Sequence, residues 1–141
     1  MEELFCHLTV LGDPKPQKRH KHFRRGKFSG TYDPSSADKD TFASVVQKNA
    51  PEVPLNTPIE MVLFFYFKRP KAHYKTGKNS NCLRDDAPEY HSSRPDIDNL
   101  VKLVGDALNG IFFKDDALIS RVTAHKLYSD KPRTEIIIIK L

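Results

Sequence analysis

Apolar positions cluster or alternate in six stretches of the chain, and the residues flanking each stretch indicate its kind. Residues 3–11 (ELFCHLTVL), rich in β-branched and aromatic side chains, predict a first strand ended by Gly12, Asp13, Pro14 and Pro16. Asp33-Pro34 supplies an N-cap followed by proline at the first helical position. A helix is predicted from there to about Lys48, with Phe42, Val45 and Val46 on one side. Pro51, Pro54 and Pro58 then break the chain. Residues 59–67 (IEMVLFFYF) predict the strongest strand, apolar enough to be central and covered on both faces. Residues 97–108 predict a second helix closed by Asn109-Gly110. Residues 117–128 and 134–141 (TEIIIIKL) predict two strands joined by a turn at Ser129-Asp130-Lys131-Pro132, the IIII run being a buried strand or part of a dimer seam. The order β-α-β-α-β-β implies one α+β domain over residues 1–141, with helices packed on a mixed sheet.

Two stretches lack periodicity. Residues 12–30 predict a loop or a distorted hairpin. Residues 68–94, polar and carrying KTGKNSN, predict a mobile surface loop, longer than ordinary connections and so of functional interest. A length of 141 residues suits one hydrophobic core. The net charge of +5 is unremarkable, but its distribution is not. From Lys15 to Lys27 the chain reads KPQKRHKHFRRGK without an acid, whereas Asp96, Asp98, Asp106, Asp115 and Asp116 fall together later. That separation suits a protein that holds a polyanion and binds a cation. Cys6 and Cys82 form no CxxC pair, which argues against a zinc site of the usual kind and against a disulfide framework. Cys6 is expected to be a small core hydrophobe. No apolar run approaches the roughly 20 residues of a membrane span, and no signal peptide precedes the first strand, so an intracellular soluble protein is expected.

The segment RPDIDNLVKLVGDALNGIFFKDDALI (94–119) carries the candidate chemistry. At 100° per residue from Asp98, Leu100, Leu103, Val104, Ala107 and Leu108 fall between about 140° and 280°, one stripe for the core. Asp98, Lys102 and Asp106 fall within about 80° of one another on the opposite side. Asp96 stands at the start of this helix, and Asp115-Asp116 where the next strand begins. Phosphodiester hydrolysis needs such carboxylates: a hard cation such as Mg²⁺ takes oxygen ligands and keeps several waters, and a pair of ions can activate water and stabilise the leaving oxygen. Two aspartates from a helix start and one from an adjacent strand can converge, with Lys102 near the phosphate. The same residues also have a structural explanation. Asp96 or Asp98 serves as a helix N-cap, Asp98–Lys102 as an i,i+4 pair, and Asp115-Asp116 as turn residues. An EF-hand is excluded, because counting from Asp96 the fifth position is Leu100 and the sixth lacks glycine.

This segment resembles the signature of the RusA family of Holliday-junction resolvases of bacteria and their phages: a D-x-D pair, a lysine four residues after its second aspartate, a D-A-L helix end and a D-D pair before the next strand. The resemblance is specific from Arg94 to Ile119 and elsewhere rests on element order and the basic N-terminal segment. It implies a Mg²⁺- or Mn²⁺-dependent endonuclease acting as a homodimer on four-way DNA junctions in the bacterial or phage-infected cytoplasm. It implies metal-binding and catalytic roles for Asp96, Asp98 and Asp116, with Lys102 as helper and Asp106 and Asp115 assisting. The 68–94 segment is longer than the family pattern, which bears on substrate preference. On an extended strand Asp115 and Asp116 point to opposite faces; parity does not choose between them, and the resemblance chooses Asp116.

Lys15, Lys18, Arg19, Lys21, Arg24, Arg25 and Lys27, with His20 and His22 among them, are candidates to grip DNA phosphates, and Phe23 and Phe28 to stack on exposed bases. Lys68, Arg69, Lys71, Lys75 and Lys78 form a weaker second patch, while Phe64 to Phe67 are expected in the core. Two function classes follow: a junction-resolving enzyme, or a DNA-binding protein without catalysis whose aspartates only cap and pair. A restriction-enzyme-like nuclease fits poorly, since KDD at 114–116 has the wrong order.

Overall fold

The computed structural model describes residues 2–141. The first strand, β1 (Glu3–Leu11), has the predicted bounds. The basic stretch then divides. Residues up to His20 run without regular structure, and β2 (Lys21–Arg25) and β3 (Phe28–Tyr32) form a hairpin, the second of the two expected forms, with a regular and not a distorted register. Its two-residue turn begins with Gly26 at φ 58°, the left-handed conformation that such turns require. Helix α1 (Ser36–Val46) starts later than predicted, with Ser35 and not Asp33 at its N-cap. The Asp33 carboxylate bonds instead to the Ser35 N–H at 2.9 Å, a local turn that delays the helix.

β4 (Ile59–Lys68) is central, between β6 (Arg133–Lys140), which is antiparallel to it, and β5 (Ile119–Ser129), which is parallel; β1 completes the order β1-β6-β4-β5. This is a single α+β domain on a mixed sheet, in the predicted element order. Helix α2 (Ile97–Leu108) buries Leu100, Leu103, Val104, Ala107 and Leu108, the predicted stripe, beside Phe42 and Val46 of α1. Both helices pack on the face formed by Leu8, Met61, Leu63, Phe65, Ile136 and Ile138.

Among the described residues no helix covers the other face of the sheet, contrary to the expectation that β4 is covered on both. Val62, Phe64 and Tyr66 are half-buried there, so the aromatic run 64–67 divides between core and open face. Likewise Ile136 and Ile138 are fully buried while Ile137 and Ile139 are half-exposed. Polar ladders line this open face: Arg121 bonds Glu60 at 3.0 Å, His7 bonds Glu135 at 3.1 Å, and the Arg133 guanidinium lies 3.9 Å from the Tyr66 ring centre.

Residues 68–94 carry two short 3₁₀ turns, Lys71–His73 and Gly77–Asn79, and return along the free edge of β5. There the Tyr128 N–H bonds to Glu89 O and the His91 N–H to Lys126 O. The segment is thus a docked edge cover and not a free loop. Polar composition hid this, because edge pairing uses backbone groups and leaves little hydrophobic signature.

Candidate active site and nucleic-acid interface

Asp96 is the N-cap of α2 by position, yet its carboxylate makes no capping bond, and Asp98 follows exposed in the first turn. Capping therefore does not account for Asp96. The chain approaching it is held from β5. Lys126 Nζ donates to the carbonyl oxygens of Ser93 at 2.6 Å and Pro95 at 2.7 Å, fixing the backbone just before Asp96. Sequence reading missed Lys126, since a lysine in a strand carries no signal until the partner carbonyls are in place.

Two clefts meet at Asp96. One, of about 890 Å³, is lined by Lys15, Lys18, Arg19, Arg94, Asp96 and Asn99 among others. The other, of about 550 Å³, is lined by Tyr90, Asp96, Ile97, Asp98, His125 and Lys126 among others. The basic cleft depends on the contact of Gln17 with α2, whose Asn99 carbonyl accepts the Gln17 N–H at 2.8 Å. It also depends on fully buried Ser35, whose hydroxyl accepts the Lys18 N–H at 2.7 Å. The predicted DNA-binding set is thereby divided: Lys15, Lys18 and Arg19 stand beside Asp96, whereas Lys21, Arg24, Arg25 and Lys27 belong to the hairpin.

The remaining acids lie further along α2. Asp106 is eight residues, about 12 Å of helix, beyond Asp98. Lys102 pairs with Asp106 at 3.6 Å, so the pair expected between Asp98 and Lys102 gives way to the next one along the helix. Lys39 of α1 reaches Asp106 at 3.4 Å and Asp33 at 2.6 Å. Asp33 also accepts from the Gln17 side chain at 2.8 Å. The Lys39 ammonium, then the Ser35 N–H, hold the Asp33 carboxyl well below the usual carboxylate range. Burial works against the charge on Lys39, but its hydrogen bond to Asp33 and the charge of Asp106 outweigh that and raise its pKa. Asp33, Lys39 and Asp106 thus tie the hairpin base, α1 and α2 together, a link that sequence spacing did not reveal.

Asp116 opens a 3₁₀ turn (Asp116–Leu118), and β5 begins only at Ile119. The strand alternation expected to separate Asp115 from Asp116 therefore does not apply. Their carboxyl groups lie within hydrogen-bonding reach. That bond raises the proton affinity of Asp116, helped by burial and by the charges of Asp115 and Asp106, while Lys102 opposes it. The carboxylates thus fall into two groups by their neighbours: Asp96 and Asp98 line one cleft, while Asp116 has Asp115, Asp106 and Lys102 as its charged neighbours. Among the described residues, no three His, Cys, Asp or Glu side chains are close enough together to hold one ion. In donor chemistry the acids suit a hard divalent cation, and Asp96 is not engaged in capping.

Elsewhere, burial pushes the Cys6 thiol up to about 11, as suits a packed hydrophobe and not a reactive thiol. Among the described residues, no helix is long and apolar enough to cross a membrane.

The chain is similar to known proteins along most of its length. The sequence pattern of the family described as Endodeoxyribonuclease RusA matches residues 12–139. The chain is also similar to the "Uncharacterized protein YqaN" of Bacillus subtilis (strain 168), with 33% identity over 93% of each chain. The match takes in the basic segment, both clefts and all five aspartates of the two acidic groups, and the chain belongs to the RusA family of endodeoxyribonucleases.

Proposed function

We propose that this protein is a Mg²⁺- or Mn²⁺-dependent endonuclease that resolves four-way DNA junctions by paired nicks, acting as a homodimer in the cytoplasm of a bacterium or an infected cell. The observation that carries this reading is the place of Asp96. An exposed aspartate without a capping bond stands where a cleft lined by Lys15, Lys18 and Arg19 meets one lined by Asp98. A phosphate drawn into the first cleft by those cations would lie against the carboxylates of the second. Asp96 and Asp98 from one group and Asp116 from the other would have to draw together to hold the divalent ion, which when bound supplies charge neutralisation and an activated water. Lys102 would steady the negative charge that builds on the phosphate, and Asp106, paired with Lys102 and Lys39, would set its reach. Lys15, Lys18 and Arg19 would orient the strand to be cut, while Lys21, Arg24, Arg25 and Lys27 hold a neighbouring arm.

The separation of the carboxylates into two groups favours a second reading, a junction-binding protein without catalysis. A labelled four-way junction incubated with Mg²⁺ or with EDTA decides between them. Nicking in Mg²⁺, far faster than on linear duplex, and none in EDTA is expected. Asp98→Asn should lose the nicking and bind the junction as tightly or more tightly, since it removes a negative charge near the phosphates. Binding without any nicking in either divalent ion would leave the second reading standing.

A further inference from the structure

The hairpin β2–β3 forms a sheet of its own, apart from the four-stranded one, and its two faces differ in chemistry. Directly opposed residues share a face: Lys21–Tyr32, Phe23–Gly30 and Arg25–Phe28 lie on one, His22–Thr31 and Arg24–Ser29 on the other. One face therefore carries three aromatic rings and two cations, and the other carries no aromatic residue other than His22. These rings are not core: Phe28 is 78% exposed, Tyr32 48% and Phe23 43%. Gly30 shows how the surface is formed. A Cβ there would lie 2.8 Å from Phe23 Cζ, so the Phe23 ring lies across the backbone at Gly30, with its centre 6.5 Å from that of Tyr32. From Tyr32 to Phe28 this aromatic face runs about 13 Å along the strand.

The hairpin is anchored at its base. Gln17 and Lys18 before it are hydrogen-bonded to Asp33 and Ser35 after it, at 2.8 and 2.7 Å. The same Lys18 lines the basic cleft that reaches Asp96. An aromatic surface with cations at its margin is thus held close to the cleft that would take the phosphate.

We propose that this face is a stacking platform for unpaired nucleobases, by which the protein favours branch points and single-stranded segments over continuous duplex. Cations alone would not discriminate, because phosphates are present on both. Base faces are different: in duplex they are covered by their neighbours, and only an unpaired or splayed base offers one to an aromatic ring. The proposal rests on the reading of this chain as a DNA-acting protein, and not on its cutting DNA.

Fluorescence and affinity, measured in EDTA on the full chain, test it. 2-Aminopurine is placed at the branch of a four-way junction, in a single strand, and within continuous duplex. The wild type should change 2-aminopurine emission in the first two and not in the third. Phe28→Ala should remove most of that change and weaken single-strand binding about 5-fold or more, with the salt dependence unaltered. Phe28→Trp should restore both. Arg25→Ala should instead lower the log–log salt slope on the single strand by about 0.7. Phe28→Ala retaining wild-type emission change and affinity would overturn the platform, as would an equal loss on duplex and single strand, or failure of Phe28→Trp to rescue. Because no metal or cutting is involved, loss of the nuclease reading through inactivity with Mg²⁺ would show separately from loss of this one.

Discussion

At the scale of single residues, position within the helix and its approach matters more than charge. Asp96 and Asp106 belong to one helical segment, yet Asp96 makes no capping bond while Asp106 is paired with two lysines. Asp115 and Asp116 differ similarly: Asp115 is extended at φ −155° and Asp116 opens the turn that faces Asp106 and Lys102. If Asp116 is the ligand, Asp116→Asn should cost several orders of magnitude in nicking rate on a four-way junction, and Asp115→Asn clearly less. A dead Asp115→Asn beside an active Asp116→Asn would reverse the assignment. Lys126 gives a second residue-level prediction. Lys126→Met removes both bonds that fix the carbonyls before Asp96 and should slow nicking about 10- to 100-fold, with a higher Mg²⁺ concentration needed for half-maximal rate. Lys126→Arg, which keeps donors and charge, should recover part of both. A rate loss in Lys126→Met with no change in Mg²⁺ dependence would mean that Lys126 serves folding alone. Asp98 and Asp106 were visible in the sequence because, with Lys102, their spacing follows the helical repeat, and Asp96, Asp115 and Asp116 stood out through the family resemblance; Lys126 and Lys39 were not visible, since each acts on residues far away in the chain.

At the scale of elements, strands and helices with strong periodicity were legible and the polar connections were not. The bounds of β1 and the buried stripe of α2 follow from apolar spacing alone. The start of α1 shifted because Asp33 and Ser35 bond to the distant Gln17 and Lys18 as well as to each other. The 68–94 segment is fastened by groups that a hydropathy pattern ignores. His91 stacks on Phe67 with ring centres 4.0 Å apart and lies 5.1 Å from Tyr128, while Arg69 bonds the Pro88 carbonyl at 2.7 Å. Burial, followed by the nearby Lys126 charge, lowers the His91 pKa below its ordinary value near 6.5. The fold therefore favours neutral His91. Above about pH 6.5 both folded and unfolded chains carry it neutral and its contribution is fully present. As pH falls below that value the unfolded chain takes up the proton first, and stability is lost. Thermal melts should be flat in this contribution near pH 7 to 8 and decline from about pH 6.5 downward. His91→Phe, which keeps a ring beside Phe67 and cannot take a proton, should show a shallower decline. An unchanged decline in that variant would remove His91 from the account.

At the scale of the whole molecule, the sheet divides the protein into a packed side and an open one. α1 and α2 lie on the packed side, and a pattern of half-buried apolar residues interrupted by ion pairs lies on the other. The sequence suggested a strand buried on both faces because Phe64, Tyr66, Ile137 and Ile139 are as apolar as core residues; only the arrangement of α1 and α2 shows that nothing of this chain's helical layer lies over them. These half-buried side chains are apolar surface that a symmetric assembly would cover further. The proposed substrate would supply the symmetry: a four-way junction resolved by two matched nicks presents two equivalent strands, and each chain offers one Asp96 at one meeting of clefts. Two copies related by a two-fold axis would place one such site on each strand. Light scattering at micromolar concentration should accordingly give twice the 16.1 kDa of the chain, with or without junction DNA. On a junction held in a supercoiled circle, both nicks should appear within one binding event. A chain that remains at 16.1 kDa in both conditions, or nicks that accumulate singly on separate encounters, would mean that this protein acts as a monomer.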